Sequence, residues 1–145
     1  MSYTTYSFLD LMGAIAHPDL GQYTFTGKGL GEVIVAMTTE KSAHDVAADG
    51  SVMVSKIAGN NGTITINAQQ TSDLHKWLLN WYNTLLASDT SAWAQTSMTL
   101  RNVVNGTSHV IHGISPQKIP DKNYQTQGQR ISWVLMAADV QNMIG

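Results

Sequence analysis

The sequence predicts an α+β fold that is mainly β: an antiparallel β-sandwich or barrel with one flanking α-helix. Three observations lead there. Most apolar runs are short, tend to alternate with a period of two, and end at glycine, asparagine or proline turns. One stretch alone, Leu74 to Leu86, spaces its apolar residues by three and four. The strand segments follow one another as hairpins rather than as strand-helix-strand crossovers, so the sheet is antiparallel. At 145 residues the chain fits one domain, 1–145, able to bury a real core.

Phe8 to His17, "FLDLMGAIAH", ends at the turn signal Pro18 to Gly21 and reads as a first strand. "YTFT" then meets Gly27, Gly29 and Gly31, and a β-branched run follows from Val33 to Thr39, giving two strands at a flexible corner. Glu40 to Gly50, "EKSAHDVAADG", is charged and without period, which predicts a long exposed connection. In Ser51 to Ala58, Val52 and Val54 share one face while Ser51, Met53, Ser55 and Ile57 share the other, so this strand is expected to be covered on both sides. "GNNG" supplies turn residues and "TITINA" puts Ile64, Ile66 and Ala68 inward, predicting a hairpin between these two segments.

Thr71 or Ser72 can cap a helix whose first turn holds Asp73, opposite the positive end of the dipole. Its packing stripe is Leu74, Trp77, Leu78, Trp81, Leu85 and Leu86, and it ends near Ala87. "SDTSAW" is a loop. Two strands then flank Asn105-Gly106, a dipeptide preferred in two-residue hairpin turns. Pro116 and Pro120 open a connection through Gly128, and a last strand, Gln129 to Asp139, sets Ile131, Trp133 and Leu135 on one face against Val134 and Met136 on the other.

Charge is scarce. Asp, Glu, Lys and Arg make up 12% of residues, against about 25% in ordinary soluble domains. Polar uncharged side chains cover the surface instead, as in a subunit whose surface meets other subunits, or in a neutral β-rich monomer. A net charge of −2 with scattered cations opposes a nucleic-acid grip, which needs a clustered positive field. Without cysteine there is no disulfide, thiolate metal site or thiol nucleophile. The N-terminal residues carry no basic segment followed by an apolar run, and no window nears the ~20 apolar residues of a membrane span, so a soluble, unexported chain is expected.

Candidate chemistry is thin. "GKGLGE" lacks the third glycine of a dinucleotide fingerprint and runs into a strand rather than a P-loop helix, so a bulged strand corner is the better reading. His109 and His112 lie three apart on a strand, where side chains diverge, which disfavours a metal pair. His17, His44 and His75 are isolated and default to packing or surface roles. No serine elbow appears, and the acids fall in loops or at element ends. "NGT" at Asn61 and Asn105 reads as turn chemistry. Trp77 and Trp81 belong to the helix stripe, whereas Trp93 and Trp133 stay unplaced, leaving a carbohydrate-binding β-sandwich as a reading of another class. No catalytic residue, metal or cofactor is expected.

The joint "GKGLGE", the loop closing on "AADGSVMVSK" and the run "GTITINAQQTSDLHKWL" together resemble the tail tube proteins of contractile-tailed bacteriophages. The likeness runs from about Tyr6 to Leu86 and more weakly to "RISWVLMAADVQNMIG". It implies a non-enzymatic structural subunit whose hexameric rings stack into a hollow tube, with neighbouring strands joined around the lumen. A contractile sheath would surround the tube and DNA would pass through it on ejection. Partners implied are further copies of the chain, the tail sheath, baseplate and tail terminator proteins, and tape-measure protein and DNA transiently in the lumen, with no membrane; the place is the virion tail, assembled in the host cytoplasm. Related tubes occur in bacteriocins and type VI secretion. Carried over residue by residue, the resemblance makes Glu40, Lys41, His44, Asp45 and Asp49 a ring-stacking loop. It makes the segments of Val33, Val35 and Met37 and of Ser51, Met53 and Ser55 lumen-side strands.

Overall fold

A computed structural model describes residues 3, 5–104, 106–122 and 124–143. A 3-10 turn at Phe8–Asp10 leads into β1 (Leu11–His17), β2 (Gly21–Thr26), β3 (Leu30–Met37), β4 (Ser42–Val46), β5 (Val52–Lys56) and β6 (Gly62–Gln69). Helix α1 (Asp73–Ala87), a 3-10 turn at Thr90–Ala92, β7 (Thr96–Asn102), β8 (Ser108–Pro116) and β9 (Arg130–Met143) complete the described chain. Seven strands form one antiparallel sheet in the order β2-β1-β7-β8-β9-β6-β3, and β4 and β5 pair as a separate ribbon.

The two outermost strands, β2 and β3, are consecutive in sequence. The few residues after Thr26 must therefore bridge opposite edges of the sheet, which curls it into a half-barrel. Gly27 is needed there because a Cβ would stand 2.3 Å from the Phe8 carbonyl oxygen, so the 3-10 turn lies directly on the seam. A register shift between Leu30 and Glu32 makes this the bulged corner expected from "GKGLGE".

Alternation places the core. Ile64, Ile66 and Ala68 of β6 and Ile131, Trp133 and Leu135 of β9 are buried as their spacing predicts, and Ile111 and Ile114 of β8, three apart, are both buried because the β7–β8 register shifts between them at Gly113. Into this trough α1 lays Leu74, Leu78, Trp81 and Leu85, all buried. Ser72 Oγ accepts the His75 N–H at 3.3 Å, which is the expected cap. Trp77 is half-buried and stacks on Tyr23 of β2 at 5.9 Å. Leu86, assigned to the stripe by spacing, is instead 57% exposed, because the sheet reaches only one side of the helix.

The expected hairpin of Ser51 to Ala58 with "TITINA" does not form. β5 pairs with β4, in register from Ser42–Lys56 to Val46–Val52, while β6 pairs with β3 and β9. A buried strand with a clean period of two needs neighbours whose inward faces match, and β3 and β9 supply them with Val33, Val35, Trp133 and Leu135. Val52 to Lys56 has no such period and folds back on the chain just before it. The same pairing corrects the reading of Glu40 to Gly50 as mere connection, since β4 lies within it. Asn105 of the β7–β8 turn lies outside the described residues. Gly106 N–H donates to the Asn102 carbonyl, and Asn102 N–H to that of Thr107; the two strands pair as expected, but the connection from Asn102 to Ser108 is longer than the two-residue turn that Asn105-Gly106 suggests.

Polar groups inside the core are paired. Trp81 Nε1–H donates to Thr96 Oγ1 at 2.8 Å, and Trp133 Nε1–H to His75 Nδ1 at 3.0 Å. His17, 2% exposed, accepts the Asp19 N–H at Nδ1 and donates from Nε2 to the Ala92 carbonyl, each at 3.1 Å. Thr96→Val is expected to strand the Trp81 indole N–H and lower unfolding free energy by about 1–3 kcal/mol, measured by chemical denaturation.

His75 gives a pH prediction. Burial first, and the Lys122 charge second, lower its pKa from 6.5, so the folded state favours the neutral ring that accepts from Trp133. Its contribution is complete above about pH 6.5 and declines as pH falls toward the lower folded-state value, where both states are protonated and the loss stops. Denaturation midpoints measured from pH 8 to 4 should decline through that window, and His75→Gln should flatten this part of the profile.

Candidate functional site

The described residues hold no group of three His, Asp or Glu side chains placed to bind a metal. His109 is half-buried with Nδ1 2.6 Å from Asn142 Oδ1, whereas His112 is exposed on the other side of β8. Trp133 is fully buried, which removes it as the exposed sugar platform of the carbohydrate reading. Trp93 is half-buried against the core. What the molecule does present is surface built for contact.

The β4–β5 ribbon is an arm. Every residue of both strands is exposed, including Val46, Val52, Met53 and Val54, each at least half open. The strand covered on both sides that its sequence suggested is, in the single chain, covered on neither. By register, His44, Val46, Val52 and Val54 share one face, and Asp45 and Met53 the other. At the tip, Ala47 N–H donates to the Ser51 carbonyl and Asp49 Oδ1 accepts from Ser51 N–H at 3.0 Å and Oγ–H at 2.6 Å. Those hydrogen bonds lower the Asp49 pKa and keep its carboxylate charged.

The base of the arm is pinned to the sheet. Lys41 Nζ donates to the Gly59 carbonyl and to Asn60 Oδ1, and Thr39 Oγ1 to Asn61 Oδ1. Val140 N–H donates to the Asn60 carbonyl at 2.8 Å and Thr38 N–H to that of Asn61 at 3.0 Å. The residues assigned to a stacking loop therefore separate: Lys41 anchors, Glu40 flanks the base, and His44, Asp45 and Asp49 lie out along the arm.

The lumen-side residues separate as well. Val33 and Val35 are half-buried and pack on the core beside Ile66 and Ile64, so Glu32, Ile34 and Ala36 are the β3 residues facing away from it. Met37 is 40% exposed and its Sδ accepts from Asn142 Nδ2 at 3.8 Å. Ser51, Met53 and Ser55 belong to the arm and its tip, outside the sheet of β3. Two features escaped sequence reasoning: the burial of His75 and His17, whose partners lie far along the chain, and the identity of the edge strands β2 and β3, each paired on one side only among the described residues.

The curled antiparallel sheet with a helix packed inside it is a fold that chains of contractile injection systems also have. Solved structures share this fold. A chain of the anti-feeding prophage baseplate aligns over 99% of this chain and 97% of its own, with TM-score 0.67 and 8% identity. A chain of an extracellular contractile injection system's PVC sheath-tube complex in the extended state covers 97% and 93%, with TM-score 0.58 and 10% identity. One from the corresponding sheath/tube terminator covers 98% and 98%, with TM-score 0.62 and 8% identity. No curated protein sequence matches. The sequence profile of the Bacteriophage PhiTE tail tube protein family matches residues 3–145; the chain belongs to that family and is a structural tail tube protein.

Because the arm's strands pair only with each other, its removal should leave the core intact. Replacing 42–56 by a short Gly/Ser linker is expected to shift the thermal midpoint by no more than a few degrees, read by circular dichroism.

Proposed function

We propose that the chain is the repeating subunit of a phage tail tube, in which hexameric rings stack into a hollow conduit for DNA ejection inside a contractile sheath. The observation that carries this reading is the arm: a pinned ribbon with valines exposed on it has no role in the isolated fold and is accounted for once a second copy covers it. The free edges of β2 and β3 support it, since unpaired edges invite aggregation unless neighbours in a closed ring pair them. The baseplate, terminator, sheath and tape-measure proteins are the further partners, and the virion tail, assembled in the host cytoplasm, is the place.

In this reading the side of β3 and β6 turned away from the core faces the lumen, through Glu32, Ile34, Ala36, Thr63, Thr65 and Asn67. Five of these six are uncharged and the one charge is acidic, which suits a wall that must not retain a polyphosphate. A headless injection particle is the second reading, favoured by the solved neighbours from extracellular contractile injection systems.

Negative-stain microscopy of the purified chain tests the proposal. Rings with six-fold class averages, or tubes of uniform diameter, are expected, and a strict monomer across a wide concentration range overturns it.

A further inference from the structure

The molecule is electrically polar along β3. Where β3 ends, Met37 pairs with Gly62 and the arm departs; where it begins, Leu30 pairs with Ala68 and β6 hands over to α1. The two ends are about 23 Å apart along the strand. The outer arm, 43 to 54, carries Asp45 and Asp49 and no lysine or arginine, while Lys41 and Lys56 lie at its base. The opposite end gathers Lys28 at the β2–β3 corner, Lys76 in the first turns of α1, Lys122 close enough to act on His75, and Arg130 opposite Gln69. The Arg130 guanidinium lies over Gly31, where a Cβ would stand 2.1 Å from one of its nitrogens. Nearby carboxylates are partly engaged: Glu32 accepts from Asn67 Nδ2 at 2.9 Å and Asp73 faces the helix N-terminus, while Asp121 adjoins Lys122.

Between Lys28 and α1 runs an open groove of about 400 Å³, lined by Tyr23, Phe25, Thr26, Lys28, Ser72 and Leu74 among others. A second hollow, holding Arg130, shares Thr71 with it. The groove therefore has an aromatic and aliphatic floor, with Lys28 and Asp73 along its lining and Arg130 in the adjoining hollow. The arm tip has the complementary make-up, the cross-strand pair Val46 and Val52 beside two carboxylates.

We propose that the arm tip of one copy docks on the basic end of the next. Val46 and Val52 enter the groove floored by Tyr23, Phe25 and Leu74, while Asp45 and Asp49 meet Lys28 and Arg130. This rests on the stacking reading above and names the surface that receives the arm. Plug and socket lie at opposite ends of one subunit, so the contact is heterologous and repeats head to tail instead of closing on a pair.

The absence of cysteine allows a clean test on the full chain. Val46→Cys with Thr26→Cys, treated with a short bismaleimide, is expected to give a ladder of covalent multimers, and each single variant none. Asp45→Lys should cut the sedimentable fraction at least about tenfold, and Lys28→Glu with Arg130→Glu in the same chain should restore it. Raising the salt should weaken assembly, because exposed charges are screened. If wild-type tubes form but the ladder is absent and Asp45→Lys assembles normally, the socket is elsewhere and the stacking reading stands. A ladder from Val46→Cys with Val104→Cys, on the β7–β8 hairpin, likewise overturns the socket. Wild-type chain that stays monomeric overturns both.

Discussion

The few residues that join β2 to β3 set the constraint on which the rest depends. They link the two outermost strands of a seven-stranded sheet, and so short a link across a flat sheet would be impossible: seven strands at about 4.8 Å spacing would put those edges nearly 30 Å apart. The sheet has to curl, and curling creates a trough that side chains of the strands alone do not fill. Helix α1 fills it with Leu74, Leu78, Trp81 and Leu85, and Tyr23, Trp77 and Trp81 stack in succession at 5.9 and 6.5 Å from β2 into the core. The curl stops short of closure, because β2 and β3 do not hydrogen-bond to each other, and Phe8 lies across the gap. One covalent constraint thus produces the core, the place of the helix and the two unpaired edges.

Packing α1 against the sheet makes the buried indole nitrogens of α1 and β9 a liability, since a buried N–H without a partner costs about 1–3 kcal/mol. Thr96 answers for Trp81 and His75 for Trp133. Both acceptors sit where elements meet, Thr96 at the start of β7 and His75 in the first turn of α1. These bonds therefore specify how the helix is seated as well as satisfying the core, and the lowered pKa of His75 follows from that seating. The surface needs no comparable charge network, consistent with a composition rich in Ser, Thr, Asn and Gln.

Much of the fold was legible because period and burial agree. β6, β9 and α1 show their inward residues as plain spacing, and the Gly-rich corner and the Ser72 cap follow from local chemistry. The pairing of β5 was not legible. "GNNG" and "AADG" are comparable turn signals, and the choice between them is made at long range, by β3 and β9 competing for β6. Strand parity put Trp133 with Ile131 and Leu135, yet its role needed His75, 58 residues away. Of the residues assigned to stacking and lumen, the segment 40–50 does project from the sheet, whereas Val33 and Val35, assigned to the lumen, pack on the core, because a one-residue change of parity reverses a strand's faces.

The exposed arm also separates two kinds of contact that an assembling subunit needs. Edge strands offer backbone hydrogen bonds in a row, which can close laterally around an axis when the rotation per subunit divides a full turn. The arm offers side chains on a pinned lever reaching beyond the sheet, and in the proposed docking its receiving surface lies at the other end of β3. A contact of that kind has no self-complementary arrangement and adds copies along an axis. In the proposed reading, lateral closure by β2 and β3 limits the ring while the arm leaves the stack open-ended. Length is then left to a terminator or a measuring partner, because nothing in a head-to-tail contact counts how many times it has been made.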